Sequence, residues 1–209
     1  MSDIAEPAPA ACWSPQRKRA PAGQRRQQIL QCLAGMLEES PAERVTTAAL
    51  AARLQVSEAA LYRHFASKAQ MFEALIEFIE VSLFGLAAQI ETQQPSGLAQ
   101  ALRMVQALLV FAERNPGLCR VLEGDALVGE HARLRQRVHL LLARLEARVR
   151  QSLKLAEQQG EVGAGFDPGE RARWLLTYAR GCLARRVRDG AALSEGAEQA
   201  ALLSLLAGG

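Results

Sequence analysis

The side chains best suited to hold a polyanion are concentrated in residues 46–68, TTAALAARLQVSEAALYRHFASK. Hydroxyl, imidazole and ammonium groups donate hydrogen bonds to phosphate oxygens, and a side chain as small as Ala59 lets a helix approach the edges of base pairs. The residues that we expect to contact DNA are Thr46, Thr47, Ser57, Glu58, Ala59, Tyr62, Arg63, His64 and Lys68. Any small helical hairpin could carry such residues, and a lone histidine is more often structural, but the combination favours DNA.

These side chains have distinct expected roles. Tyr62 and His64 are placed to hydrogen-bond phosphates, which fixes the register of a protein on DNA without reading its sequence. Thr46 and Thr47 offer hydroxyl groups and a helix N-terminus to another phosphate. Lys68 adds a positive charge at the start of the next helix.

Two short helices around a tight turn must position these groups. Thr46 or Thr47 caps the first helix, and Gln55-Val56-Ser57 forms the turn. Ser57 then caps the second helix, which is predicted to run to about His64. This is the helix-turn-helix plan, in which the outer face of the second helix is free to enter the major groove.

The rest of the chain also predicts helices. Hydrophobic residues make up 49% of the 209 residues and aromatic residues only 5%, and the abundance of Ala, Leu, Arg, Glu and Gln favours an all-α fold. Helices are predicted to begin near Gln24, at a Ser67–Gln70 capping pair, after residues 94–97, near residue 130, at Asp167 and near Ser194. The expected domains are a disordered basic extension (1–20), a DNA-binding head (21–70) and a C-terminal helical domain (71–209).

Charge, cysteine and histidine content argue against several classes of protein. The net charge is only +3, but one short stretch without acids holds Arg17, Lys18, Arg19, Arg25 and Arg26. No apolar run approaches the roughly 20 residues that span a bilayer, and the N-terminus lacks the apolar core of a secretory signal, so we expect a cytoplasmic protein. We expect neither a metal site, a cofactor nor enzyme activity, because the cysteines form no C-x-x-C pair and no ligand or nucleophile lies at suitable spacing beside His131 and His139.

On these residues the chain resembles the TetR family of transcriptional regulators. The family's helix-turn-helix is followed by Tyr-x-His-Phe-x-x-Lys, which is met here as Tyr62, His64, Phe65 and Lys68. The resemblance covers about residues 24–76 and implies an all-α homodimer with N-terminal DNA-binding heads. It also implies a larger C-terminal helical domain with a dimerising four-helix bundle. The family usually has Gly where this chain has Gln55, and a left-handed backbone there would cost a non-glycine residue about 1 kcal/mol.

Two further segments resemble the nucleoid occlusion factors of that family, namely SEAALYRHFASKAQMFEALIEFIEVSL and FAERNPGL. Those factors bind chromosomal DNA and the division GTPase FtsZ, and they block septum assembly over unsegregated DNA. The resemblance implies that Phe78, Arg114 and Asn115 bind FtsZ, since an aromatic ring beside a guanidinium suits a peptide that carries a carboxylate. Phe78 could instead lie in the core, and Asn115 is also predicted to cap a helix. Leu86 stands where the resemblance leads us to expect a basic residue.

Two questions about the C-terminal domain stay open at this point. An apolar stripe of Trp174, Leu175, Tyr178, Ala179 and Cys182, with a second one over residues 200–206, fits a protein core or, as the resemblance implies, a dimer interface. The expected function is DNA-bound inhibition of division at the nucleoid. The alternative is a repressor released by a small ligand, which would need a closed apolar cavity.

Overall fold

The computed structural model describes residues 22–39, 44–130 and 132–190 together with Leu202. These residues form eight α-helices and one short 3-10 helix, Asp125–Leu127, and contain no strand. The α-helices are α1 (Ala22–Glu39), α2 (Thr47–Arg53), α3 (Glu58–Tyr62), α4 (Lys68–Gln93), α5 (Gly97–Arg114), α6 (Pro116–Glu123), α7 (Ala132–Gln158) and α8 (Pro168–Asp189). Three predicted features lie outside the described residues: the extension over residues 1–20, His131, and most of the last helix.

Helices α1, α2 and α3 form a small head with an apolar centre. Its fully buried side chains are Ile29, Leu33, Leu50, Leu61 and Phe65, and all belong to one core cluster. Burying each of them stabilises the fold by about 1.5–3 kcal/mol. Leu50 and Leu61 thus bury the inner faces of the hairpin, while Leu54 and Val56 pack against this core and stay partly buried.

Helix α4 carries the chain from the head into the C-terminal body. Ser67 caps it by accepting a 3.2 Å hydrogen bond from the Gln70 backbone nitrogen, while the Gln70 side chain accepts a 2.8 Å bond from the nitrogen of Ala66. The predicted capping pair thus forms, with its return bond one residue earlier than usual. The expected domain boundary after residue 70 falls within the first turn of this helix.

The body is built from α4 to α8. Helix α5 packs against α7 and α8, and α4 lies across α5 and α7. Helix α7 buries one apolar stripe, which consists of Leu134, Val138, Leu141, Leu145 and Val149. Asp167 caps α8 by accepting bonds from the nitrogens of Gly169 (2.7 Å) and Glu170 (3.1 Å), and these bonds lower the pKa of its carboxyl.

Ion pairs align α4 with α7. Arg137 reaches Glu80 at 2.6 Å, and Arg148 reaches Glu91 at 2.6 Å. The exposed pair between Arg148 and Glu91 contributes at most about 1 kcal/mol, whereas the pair between Arg137 and Glu80 is partly buried. Their value lies in selecting one register between two long helices.

The stripe predicted on α8 is divided between core and surface. Leu175, Ala179 and Cys182 are buried inside a single protomer, so of the two alternatives left open for the stripe these three residues belong to the core and not to the dimer interface that the resemblance implies. Trp174 remains 39% exposed, and Tyr178 is half-buried. Helix α8 packs on α5, α6 and α7, and the side chains on its packed side fill the core.

Candidate nucleic-acid interface and partner groove

The turn between α2 and α3 joins two capped helices through a left-handed residue. Thr46 caps α2 by accepting a 3.1 Å bond from Ala49, and Ser57 caps α3 by accepting a 3.2 Å bond from Ala60. Gln55 has φ of +54°, which is the left-handed conformation expected at this position. Each capping hydroxyl is exposed and keeps its own proton to donate elsewhere.

The outer face of α3 is open to solvent. Ser57, Glu58, Ala59, Tyr62 and Arg63 are all exposed, and Tyr62 keeps 45% of its surface accessible. The helix buries its opposite face through Leu61 in the head, whereas the larger body leaves its outer face uncovered. A short helix with this arrangement has the shape required to enter a groove of duplex DNA.

Thr47 and Glu58 bind each other across the hairpin. The Thr47 hydroxyl donates a 2.6 Å hydrogen bond to a Glu58 carboxylate oxygen. This bond ties the start of α2 to the start of α3. Because the Thr47 hydroxyl donates its hydrogen bond to Glu58, it cannot at the same time donate one to a phosphate. The free structure therefore presents Thr46 to a phosphate more directly than Thr47.

His64 lies beyond the helix in which it was predicted, because α3 ends at Tyr62. It is half-buried, and Arg26 of α1 donates a hydrogen bond to its backbone carbonyl. The Arg26 guanidinium also stacks 4.1 Å from the centre of the Phe65 ring. Arg26, counted in the sequence only as part of a basic run, therefore fixes the turn that carries His64.

Lys68 faces the body as well as the head. Its ammonium lies 2.6 Å from a carboxylate oxygen of Glu130, and both side chains are partly shielded. In the free protein this lysine is therefore held by an internal acid. A phosphate that recruited Lys68 would have to compete with Glu130.

The three residues expected to bind a partner lie together. Phe78, Arg114 and Asn115 line one groove of about 510 Å³, whose apolar lining includes Leu75 and Leu118. Phe78 is 52% exposed, which excludes the core position that its sequence left open. Arg114 is exposed as well, so the groove combines an aromatic surface with a solvent-facing cation.

Asn115 occupies the N-cap position of α6 but makes no side-chain capping bond there. Its amide nitrogen instead donates a 2.8 Å bond to the carbonyl of Phe111. The prediction that the Asn115 side chain caps α6 is therefore wrong, because this side chain bonds a carbonyl at the end of α5 instead of a backbone nitrogen at the start of α6. This bond fixes Asn115 at the edge of the groove.

Helix α1 supplies the wall of the groove that sequence reasoning missed. Its contributing residues are Gln27, Leu30, Gln31, Ala34, Gly35 and Glu38. They recur every three to four positions, a spacing that indicates a second face beside the buried stripe. At the floor of the groove, α1 and α6 lie so close together that a methyl group on Gly117 would collide with the backbone carbonyl of Ala34.

The described part of the chain offers no metal site and no membrane span. Among its residues, no group of three or more His, Cys, Asp and Glu side chains could hold a metal ion. None of the described helices has the length and apolar character that crossing a membrane requires. Cys119 is a free thiol, and burial raises its pKa to about 12, so this thiol is chemically inert at neutral pH.

Comparison with known folds supports the architecture. A regulator of the TetR class from Haloarcula marismortui superposes with a TM-score of 0.74 at 16% identity, covering 88% of this chain and 97% of its own. The regulator PfmR from Thermus thermophilus gives 0.69 at 21% identity, with 87% and 95% covered. At such low identity these similarities establish the fold alone.

Comparison of sequences is more specific. Residues 29–75 match the model of bacterial regulatory proteins of the tetR family, and residues 97–198 match the SlmA-like model of the tetracyclin repressor-like C-terminal domain. The nucleoid occlusion factor SlmA of Shewanella halifaxensis is 51% identical over 165 residues, covering 79% of this chain and 84% of that protein. The factor of the same name from Shewanella pealeana is 52% identical over 167 residues with the same coverage. The chain therefore belongs to the TetR family and, within it, to the SlmA group of nucleoid occlusion factors.

Proposed function

We propose that this protein is a DNA-bound inhibitor of cell division, which acts at the nucleoid in the cytoplasm. In this proposal a homodimer grips duplex DNA through α3 and binds the C-terminal tail of FtsZ in the groove beside Phe78, so that septum assembly is blocked over the nucleoid. The observation that carries the proposal is the meeting of Phe78, Arg114 and Asn115 in one open groove, apart from an exposed α3.

The proposed DNA contacts are of two kinds: contacts to phosphates position the protein, and contacts to base edges read the DNA sequence. Tyr62, exposed beside Arg63, donates a hydrogen bond from its hydroxyl group to a phosphate oxygen, and Arg63 adds a cation whose contact weakens with salt. Ala59 lies on the same open face and allows the helix to approach base edges. Glu58, held by Thr47, can accept a hydrogen bond from a cytosine amino group at the groove floor.

The remaining contacts come from outside α3. The capping hydroxyls of Thr46 and Ser57 can each donate to a phosphate, and Thr47 can do so once its bond to Glu58 is exchanged. His64 follows α3 in a turn braced by Arg26, where its imidazole can bond the backbone of one strand. Lys68 reaches a phosphate by leaving Glu130.

The groove chemistry suits a peptide with one acidic and several apolar side chains. Arg114 can pair with a carboxylate through two parallel bonds, while Phe78, Leu30 and Leu118 cover aliphatic side chains. The groove is also open along one side, since Phe78 and Arg114 are exposed. An extended tail can lie in it, whereas an enclosed cavity of the kind that traps a small ligand would need both residues covered.

The dimer interface proposed here uses the outer face of α8. Trp174, Thr177, Gly181 and Arg185 recur along this exposed face, and Gly181 has open space beside it. Small residues at such a position let two helices approach closely, and Trp174 supplies apolar area. The same helix thus uses one face for the protomer core and the other for its partner.

A pull-down tests the partner. Purified protein is expected to retain full-length FtsZ but not FtsZ that lacks its C-terminal tail, and retention should be compared with and without duplex DNA. Arg114→Asp should abolish retention because it reverses the charge that meets the peptide carboxylate, while leaving DNA binding intact. Equal retention of tail-deleted FtsZ would contradict the groove assignment.

A pair of substitutions tests the DNA surface. Tyr62→Ala should abolish specific binding, and Tyr62→Phe should weaken it by about 1.5–3 kcal/mol, the contribution of a hydrogen bond to a charged group. Analytical ultracentrifugation should show that both variants remain dimers. Unchanged affinity of Tyr62→Ala at moderate salt would refute the placement of α3 in the groove.

A further inference from the structure

The end of α1 places a carboxylate in the groove that holds Phe78. Among the described residues that line this groove, Glu38 and Arg114 are the charged ones. Both side chains are exposed, and within the described part of the chain neither has an ion pair or a side-chain hydrogen bond. The groove therefore presents one negative and one positive group to whatever occupies it.

Glu38 stands where a helix disfavours an acid. The aligned peptide dipoles leave partial negative charge at the C-terminus of a helix, which favours cations there and disfavours carboxylates. Helix α1 ends with Glu38 and Glu39 and has no basic residue in its last turn. Helix α5, in contrast, has Arg114 in its last turn, which is the favourable sign. The end of α1 thus breaks a local rule, which is expected chiefly where a function requires it.

The neighbouring acid is compensated inside the protein. Glu39 accepts two 2.5 Å hydrogen bonds from the guanidinium of Arg53, so α2 supplies the cation that the end of α1 lacks. Glu38, one residue earlier, receives no such cation from the described residues. The two acids therefore have different roles, since Glu39 joins two helices of the head while Glu38 remains open to the groove.

The surroundings of Glu38 allow a partner side chain to reach it. The preceding turn of α1 contributes the small residues Ala34 and Gly35 to the groove, and Gly35 has open space beside it. A methyl group on Gly117 would lie 3.2 Å from the backbone nitrogen of Glu38. Glu38 therefore lies where α1 meets the start of α6, only three residues along the chain from Arg114, so one peptide can reach both charges.

We propose that Glu38 binds a basic side chain of the FtsZ tail while Arg114 binds an acidic one, so that the groove selects a peptide carrying both charges. This inference rests on the proposed function of the groove. A cation on Glu38 gains from the carboxylate and from the negative end of α1. Two opposite charges also fix the direction of an extended peptide, because reversing it would bring like charges together.

The first test needs no partner. Glu38→Gln should keep Tm or raise it by up to about 3 °C, because it removes a charge that the dipole of α1 disfavours and keeps the size of the side chain. Differential scanning calorimetry measures this shift. A lower Tm would show that the carboxylate is already held by a stabilising contact inside the protein, and it would overturn the inference.

The second test measures binding of a labelled FtsZ tail peptide by fluorescence anisotropy. Glu38→Gln should raise Kd about fivefold, the factor that corresponds to an exposed ion pair. Glu38→Lys should raise it by more than about tenfold, because a like charge then faces the basic side chain. The matched control is Glu77→Gln. Glu77 is exposed next to Phe78 on α4 but does not line the groove, so its Kd should stay within about twofold of the wild type. Equal Kd for Glu38→Gln and the wild type, or equal weakening by the control, would contradict the inference.

Exchanging the charges identifies the basic side chain. Tail peptides in which one Lys or Arg at a time is replaced by Glu are titrated against the wild type and Glu38→Lys. One of these peptides should bind Glu38→Lys about tenfold more tightly than it binds the wild type, because the exchange restores an attractive pair. If no peptide does so, Glu38 meets no basic side chain and the inference is wrong.

The outcomes separate this inference from the proposed function. If Arg114→Asp loses the tail peptide while Glu38→Gln binds it like the wild type, the groove assignment stands and the inference alone is refuted. If the wild type does not bind the unmodified tail at all, the proposed function is refuted and the inference falls with it.

Discussion

Replacing Phe78 by alanine should weaken binding of the FtsZ tail by a predictable amount. The ring is 52% exposed, and a phenylalanine buries about 150–250 Å² when it is covered completely. A peptide in the groove can therefore cover about 100 Å² more of it. At about 25 cal/mol per Å² the lost contact is worth about 2.5 kcal/mol, or roughly a 60-fold increase in Kd. Fluorescence anisotropy of a labelled tail peptide measures this directly.

The matched control is Val81→Ala. Val81 lies on the same helix and is 69% exposed, but it is not among the residues that line the groove. Its removal should change Kd by less than about twofold, and both variants should keep the free energy of unfolding within about 0.5 kcal/mol, as expected for surface substitutions. If Phe78→Ala binds the peptide like the wild type, or if both variants weaken it equally, the groove is not where the tail binds.

Two further predictions concern stability. Gly117→Ala should lower the free energy of unfolding in urea by about 1–3 kcal/mol, because the added methyl group meets the Ala34 carbonyl and forces α1 and α6 apart; an unchanged midpoint would contradict the close contact. Burial raises the pKa of the Glu123 carboxyl, and no hydrogen-bond partner for its Oε1 is found in the described structure. The carboxylate therefore costs stability, a cost that grows as pH rises from the unfolded pKa to the folded one. Glu123→Gln should raise Tm at pH 7 and lose this advantage near pH 4, and calorimetry showing a lower Tm at pH 7 would refute the sign.

Local features were predictable because a few neighbouring residues encode them. The burial of Leu75 and Ile79 follows from their helical spacing, and the start of α8 follows from a capping Asp167 with proline after it. The left-handed Gln55 was expected from the family's usual glycine, since that backbone serves the turn whatever side chain occupies it. The end of α3 was placed two residues too late, because the capping signals mark the start of a helix more clearly than its end.

Long-range arrangement was decided by tertiary packing. The sequence by itself determined that α8 has an apolar stripe, but only the packing of α5, α6 and α7 on it determined that Leu175 and Cys182 are core. Likewise, Lys68 was recognised as a cation, whereas its partner Glu130 lies 62 residues further along the chain. Spacing and capping act over one or two turns of a helix, so they fix which helices form. Which faces meet depends on how complete helices pack together, and this packing also assembled the groove from α1, Phe78 and Arg114.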